Sequence, residues 1–298
     1  KITANQLVWF SFIFALFIAA VIIVLKDIIL DYVFGNIGEQ VRHDASHYLV
    51  FSAISAPFLA VYAAAAAIFR TMSNAKLPMY IMAAANLLNV LLTAISIYTF
   101  HTGILGIAIS TLIAKMLACF VIVYLLLDIR LKLHIRKSFI YKFDYEIIKK
   151  ILNIGVPYGF ENSMFYVGRI IVLSLVSLFG TASIAANAVG GTIVMFQVLP
   201  GMAIGTGLSV VVSRCIGAND FAQAKFYVRK SMISIYIVQL FSIAVILFLL
   251  EPLLLVYNLS SEAINLTRQI VWYHGIAMCL IWPLAYTYPI VFRAAGDA

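Results

Sequence analysis

The sequence predicts an all-α integral membrane protein built as two pseudo-symmetric helical bundles, related to each other as a parallel repeat. Three observations point there. Of the 298 residues, 64% are hydrophobic and only 11% charged, with a mean hydropathy of +1.05, whereas a water-soluble domain is roughly half apolar and a quarter charged. Apolar runs of bilayer-crossing length, about 20 residues, recur eight times. A basic stretch, 129–150, divides those runs into four and four.

The predicted spans are 5–25, 46–69, 78–100, 104–127, 151–179, 182–212, 231–256 and 268–292. Lipid offers no partner to an open strand edge, so spans of this kind are helices. The strands of a barrel would alternate in polarity over about ten residues, and these runs do not. The first run is too long for the apolar core of a signal peptide, and no small-residue cleavage site follows it. The fifth and sixth spans are overlong. They tilt, extend past the hydrocarbon, or bend, the sixth at Pro200, Gly201, Gly205 and Gly207.

Charge sets the orientation. Lys1, Arg70, Lys76, the seven Lys and Arg of 129–150, Arg214, Lys225, Arg229, Lys230 and Arg293 fall on one set of ends and loops. Only Lys26, Arg42 and Arg268 fall on the other. The basic set is expected in the cytoplasm, which puts both ends of this piece inside. The net charge of +8 is then a matter of topology, and no nucleic-acid partner is inferred from it. The half-sequence FIYKFDYEIIKK of the basic stretch has amphipathic character and is expected on the membrane surface. The expected organisation is therefore 1–128, part of an N-terminal bundle; 129–150, a cytoplasmic linker; and 151–298, part of a C-terminal bundle.

A weak internal repeat supports two bundles. Phe69-Arg70-Thr-Met-Ser-Asn-Ala75 resembles Phe292-Arg293-Ala-Ala-Gly-Asp-Ala298 at an offset of 223 residues. Each copy sits at the cytoplasmic end of an outside-to-inside span, so the repeat is parallel, a common device in transporters. A period of that length implies two further spans before Lys1 and two after Ala298, twelve in all. The chain begins at Lys1 and ends in mid-loop, as a piece of a longer protein would, and such a piece is not expected to transport by itself.

Three charged residues lie well inside spans: Lys115, Glu161 and Arg169. A charge at the bilayer centre costs at least about 2.5–3.5 kcal/mol, so such residues face a bundle interior or a watery cavity and suggest function. Glu161 and Arg169 are eight residues apart, about 12 Å along a helix, and cannot pair within it. Glu161 can hold a proton or a cation, as an ion-coupled carrier requires, or can form a structural ion pair, Lys115 being one candidate partner. Na+ at Glu161 is the one metal interaction considered, and no other cofactor is expected. Pro157, flanked by Gly155, Gly159 and Gly168, is a candidate hinge, as is Pro200. Asn86, Asn89, Asn162, Asn187, Gln197 and Gln239 either bridge helices, at about 0.6 kcal/mol each on average, or line a cavity. Tyr158, Phe165, Tyr166, Phe196, Tyr273, Trp282, Tyr286 and Tyr288 could join them, in a cavity suited to flat or cationic organic compounds. His274 is a second titratable candidate.

Several stretches together resemble one family. The runs GVPYGFENSMFYVGRIIVLSLVSLFGTASIAANAVG (155–190) and VLPGMAIGTGLSVVVSRCIGANDFAQAKFYVRKS (198–231) resemble the start of the second half of multidrug and toxic compound extrusion (MATE) transporters. FRTMSNAKLPMYIMAAANLLNVLL (69–92) and GILGIAISTLIAK (103–115) resemble the first half. The resemblance implies two six-helix bundles, of which this chain would hold helices three to ten. It implies alternating-access export of organic, often cationic, compounds in exchange for Na+ or H+, from a bacterial cytoplasmic (inner) membrane. Small organic substrates, membrane lipids and a monomeric state go with it. In several members an acidic residue of the seventh helix takes part in coupling, and Glu161 lies in the corresponding helix. The alternative is a flippase for a lipid-linked saccharide of the same superfamily, which needs a basic cavity that Lys115 and Arg169 would supply and Glu161 argues against. An enzyme is not expected: HExxH, GxSxG, a Walker loop and paired aspartates at depth are absent. Cys119, Cys215 and Cys279 are too few and scattered for a disulfide framework or a zinc site.

Overall fold

Backbone polar groups in an apolar solvent pair within their own segment, and the computed structural model meets that demand with helices. It describes residues 2–34, 39–135 and 144–296. Among them run α1 (Ile2–Val24), α2 (Lys26–Phe34), α3 (Glu39–Thr71), α4 (Lys76–Tyr98), α5 (Gly103–Leu126), α6 (Tyr145–Ser177), α7 (Thr181–Gly217), α8 (Phe221–Phe248), α9 (Leu250–Val256), α10 (Ser261–Leu280) and α11 (Trp282–Ala295). Each of the eight predicted spans falls on one long helix or one broken pair.

The differences have physical reasons. Six of the helices are long and apolar enough to cross a membrane, and the pair α10 and α11, bent by 49°, makes a seventh. Besides the short α2 and α9, the helix outside that set is α6, which carries Glu146, Lys149, Lys150, Glu161 and Arg169. It also starts six residues before the expected 151, absorbing the end of the basic stretch. The seventh predicted span, 231–256, divides at Leu249 into α8 and α9. The eighth divides at Ile281, where Pro283, the second residue of α11, has no N–H to continue the ladder. Pro157 and Pro200, in contrast, lie inside continuous helices. Of the expected linker, 136–143 lies outside the described residues, and with it 139–143 of the stretch assigned to the membrane surface.

The chain separates into two units, Lys1–Ile151 and Leu152–Ala298. In the first, α3 packs between α1 and α5, and α5 also packs on α4. The seam is a run of small side chains: Ala64, Ala65, Ala66, Ala118 and Cys119 are all buried around Phe69, Ile122 and Leu126. Small residues let helices approach closely where lipid removes the hydrophobic drive between them. Gln6, fully buried, ties α1 to the chain entering α6. Its amide oxygen accepts from the Asp144 N–H at 2.7 Å and its amide nitrogen donates to the Asp144 carbonyl at 3.2 Å.

In the second unit α7 is central and packs on α8, α10 and α11. Ile193, Val194, Leu250, Leu254 and Val271 form its apolar core. Arg268 holds Glu251 through two bonds, Nε to Oε1 at 2.8 Å and Nη2 to Oε2 at 3.0 Å, which fastens α9 to α10. The turn between α7 and α8 uses Asn219 at φ 59°, and Asp220 caps α8 by accepting from the Gln223 N–H at 2.9 Å. All three cysteines are free thiols.

The repeat seen in the sequence reappears as a turn. Ser73 has φ 66° and donates its N–H to the Arg70 carbonyl at 3.0 Å. Gly296, 223 positions later, has φ 93° and donates to the Arg293 carbonyl at 3.1 Å. Both copies follow a helix with a left-handed residue at the equivalent position of the repeat.

Candidate functional site

The two charged residues of α6 find separate surroundings. Glu161 and Tyr158 are three apart on α6 and share a face. From α11, Arg293 donates Nη1 to Glu161 Oε2 at 2.6 Å. Its guanidinium carbon also lies 4.4 Å from the centre of the Tyr158 ring, a cation–π contact. The Arg293 side chain is 17% exposed and that of Glu161 55%. The guanidinium is thus the enclosed partner, and the carboxylate keeps a face open to competitors.

Beside this pair is a cavity of about 350 Å³ lined by Tyr158, Thr206, Ser209, Ser213, Tyr286, Ile290, Arg293 and Ala294. Gly205 lets α11 approach: a Cβ there would meet Ile290 at 3.2 Å and Tyr286 at 3.4 Å. Tyr286 is stacked on Trp282 at 4.5 Å. The hydroxyls of the wall spend their hydrogens on backbone carbonyls, Thr206 on Met202 at 2.9 Å, Ser209 on Thr206 at 2.7 Å, and Ser213 on Ser209 at 2.8 Å or Ala294 at 3.1 Å. What these three hydroxyls leave for the cavity is acceptor lone pairs, beside the phenol rings of Tyr158 and Tyr286 and the Arg293 guanidinium. A carboxylate, aromatic faces and acceptor oxygens suit a cation, and Arg293 is the cation already there.

A second polar group lies inside the same unit. Gln197 and Gln239 are fully buried, and His274 Nδ1 is 3.4 Å from Gln197 Oε1. Gln197 Nε2, both amide atoms of Gln239, and Thr287 Oγ1 have no partner among the described residues. For Gln239 the interhelical bond expected from the sequence is absent there.

The first unit holds a cavity of about 220 Å³ that brings together Asn86, Asn89 and Lys115. Lys115 Nζ donates to Ser55 Oγ at 3.1 Å. The ion pair considered between Glu161 and Lys115 is therefore replaced by two separate arrangements, Glu161 with Arg293 and Lys115 with Ser55.

Other candidates stand apart from both cavities. Asn162 donates to the Tyr158 carbonyl at 2.8 Å within its own helix. Arg169 lies over Gly191, its Nη2 3.5 Å from where a Cβ would be. Phe165, Tyr166, Phe196 and Tyr273 are all more than half exposed, and Asn187 is half-buried on α7. Two contributors escaped the sequence reading. Arg293 was absorbed into the topology count. The hydroxyl stripe Thr206, Ser209, Ser213 carries a signal in its three-and-four spacing, one helix face.

Among curated relatives, the chain is 25% identical over 252 residues to the "Probable multidrug resistance protein YoeA" of Bacillus subtilis, covering 82% of this chain and 53% of that protein. It is 21% identical over 272 residues to the "Probable multidrug resistance protein NorM" of Thermotoga maritima, covering 89% and 58%. The chain thus spans somewhat more than half the length of these relatives. Among solved structures, one described as the outward-facing conformation of a multidrug resistance MATE family transporter of the MOP superfamily superposes with a TM-score of 0.90 at 18% identity, over 100% of this chain and 66% of that one. The fold is therefore shared with that transporter. The MatE family model matches residues 1–95 and 157–298, which takes in α6 from Pro157 onward, α7 and α11, and so every residue of the Glu161–Arg293 pair and its cavity. On that match the chain belongs to the MatE family.

Proposed function

We propose that the protein is a secondary antiporter that exports organic, often cationic, compounds in exchange for Na+ or H+, with Glu161 as the coupling residue. The observation that carries this is the Glu161–Arg293 contact at 2.6 Å, made by a carboxylate that is 55% exposed beside an acceptor-lined cavity. In this state an internal guanidinium occupies the carboxylate. A proton or a sodium ion that takes Glu161 releases Arg293 to its remaining contact, the Tyr158 ring. An organic cation competing for the same carboxylate does likewise, so ion and substrate exclude one another. Because Arg293 sits on α11 and Glu161 on α6, occupancy of one carboxylate decides whether two helices are tied. A ligand shifts a conformational equilibrium only through such differential affinity, and here it comes from competition with a built-in cation.

Expected localisation and partners follow: a multi-pass protein of a bacterial cytoplasmic membrane, acting on small organic compounds without an ATP-binding site of its own. A saccharide flippase is less well supported, because the cationic side chain that lines this cavity, Arg293, is already paired with Glu161.

The test is efflux of a fluorescent cationic dye from a drug-sensitive bacterial strain expressing the full-length protein, with and without Na+. Wild type is expected to extrude dye and Glu161→Gln to lose extrusion at equal protein level. Normal extrusion by Glu161→Gln would make the Arg293 pair a structural contact and place coupling elsewhere.

A further inference from the structure

The second turn of α3 carries His43-Asp44-Ala45-Ser46-His47, two histidines four residues apart and so on one helix face. Their rings meet at the surface, with centroids 4.4 Å apart and planes at 69°. His43 Nε2 lies 3.1 Å from His47 Nε2. Two imidazole nitrogens that close share either one hydrogen or one metal ion.

The surroundings favour a metal. Asp44 Oδ1 sits 3.6 Å from His43 Nδ1. A carboxylate on that side draws the ring hydrogen to Nδ1 and leaves Nε2 bare, the tautomer that binds metals. Bonds of about 2.0–2.1 Å from each nitrogen place one ion between the two rings, at an N–metal–N angle of about 100° for their 3.1 Å separation. That angle lies between the tetragonal and tetrahedral values. The nearby cation is neutralised, since Arg42 Nη2 pairs with Asp31 Oδ1 at 2.9 Å. Asp44 accepts from the uncharged Gln40 amide at 3.4 Å, so its own charge remains to attract a cation. No group of three His, Cys, Asp or Glu side chains gathers for a metal among the described residues. The protein therefore supplies two ligands here, and water completes the shell.

We propose that His43 and His47 form a surface binding site for a divalent late transition metal, filled most tightly by Cu2+. Imidazole suits such ions, and Cu2+ heads their affinity order. Ca2+ and Mg2+ take oxygen ligands instead. On the topology expected from loop charge, this end of α3 faces outside, so the ion comes from the medium. The site belongs to the first unit and stands whether or not Glu161 couples ions.

The experiment is Cu2+ titration of the full chain, without an added histidine tag, in phosphatidylcholine nanodiscs and a non-coordinating buffer. It is followed by calorimetry and by electron paramagnetic resonance. Wild type is expected to bind Cu2+ with a spectrum split by two nitrogens. His43→Gln and His47→Gln alter a helix surface, the His43 side chain being 62% exposed, and should leave the melting temperature of the metal-free protein unchanged. Each is expected to weaken Cu2+ binding by at least about tenfold, the smaller loss typical even of an outer-shell partner. Ala45→His combined with His47→Ala keeps two histidines but sets them two residues apart, on opposite faces of the helix. It is expected to bind no better than the single variants. Undiminished binding by the single variants, full binding by the respaced one, or displacement of Cu2+ by equimolar Ca2+ would each overturn the proposal.

Discussion

Arg293 shows how one side chain can carry two meanings. Its position beyond a span and its charge fit a topology signal, yet it reaches back to Glu161 at 2.6 Å and over Tyr158 at 4.4 Å. Removing it as Arg293→Met leaves the carboxylate open to external cations. The half-saturating concentration of coupling cation in an efflux assay is then expected to fall about twofold to fivefold, since a half-exposed pair is worth up to about 1 kcal/mol. Arg293→Lys should keep most of the competition. The charged residues at depth were legible because polarity in an apolar run is conspicuous. Their partners were not, because pairing is set by tertiary neighbours 132 positions apart, beyond the reach of helical spacing. Gln239 is the reverse case. The sequence offered it as a helix-bridging or cavity-lining amide, and both its amide atoms lack partners among the described residues. A buried unpaired amide costs about 1–3 kcal/mol, so Gln239→Leu is expected to hold or raise the melting temperature. A fall of several degrees would mean that the amide has a partner, such as a bound water.

Helix identity was legible from apolar length, whereas breaks were not legible from proline. Pro157 and Pro200 sit in unbroken helices, while Pro283 follows the break at Ile281 and the 49° bend there. The difference is packing: a proline disrupts one hydrogen bond, and neighbouring helices decide whether the axis yields. Trp282 opens α11 directly after that break and faces Gly201 of α7. A Cβ at Gly201 would lie 2.6 Å from the Trp282 ring and 2.8 Å from Gln239 Oε1. Gly201→Ala is therefore expected to destabilise by about 1–3 kcal/mol through overpacking, read as a lower melting temperature. At Gly207 no atom lies within 4 Å of a Cβ. Gly207→Ala should leave stability unchanged or raise it by up to about 1 kcal/mol through helix propensity. If both substitutions behave alike, α11 does not pack on α7 at this glycine.

At the scale of the whole chain, two units were foreshadowed by the basic stretch and the repeat at 223 residues, and the left-handed turns at Ser73 and Gly296 give that repeat a backbone form. α6 was predicted as an overlong span, and it falls outside the helices apolar enough to cross a membrane for the same reason that it is informative: it carries Glu161 and Arg169. Family membership accounts for the fold, and the proposed antiport adds a role for one carboxylate. Its most direct test is counterflow in proteoliposomes of the purified full-length protein, loaded with a fluorescent cation and given an inward Na+ gradient or an inward proton gradient. The account predicts that one gradient drives dye out, that Glu161→Gln abolishes the driven flux, and that Arg293→Met retains it at lower cation concentration. Gradient-driven flux undiminished in Glu161→Gln would contradict it.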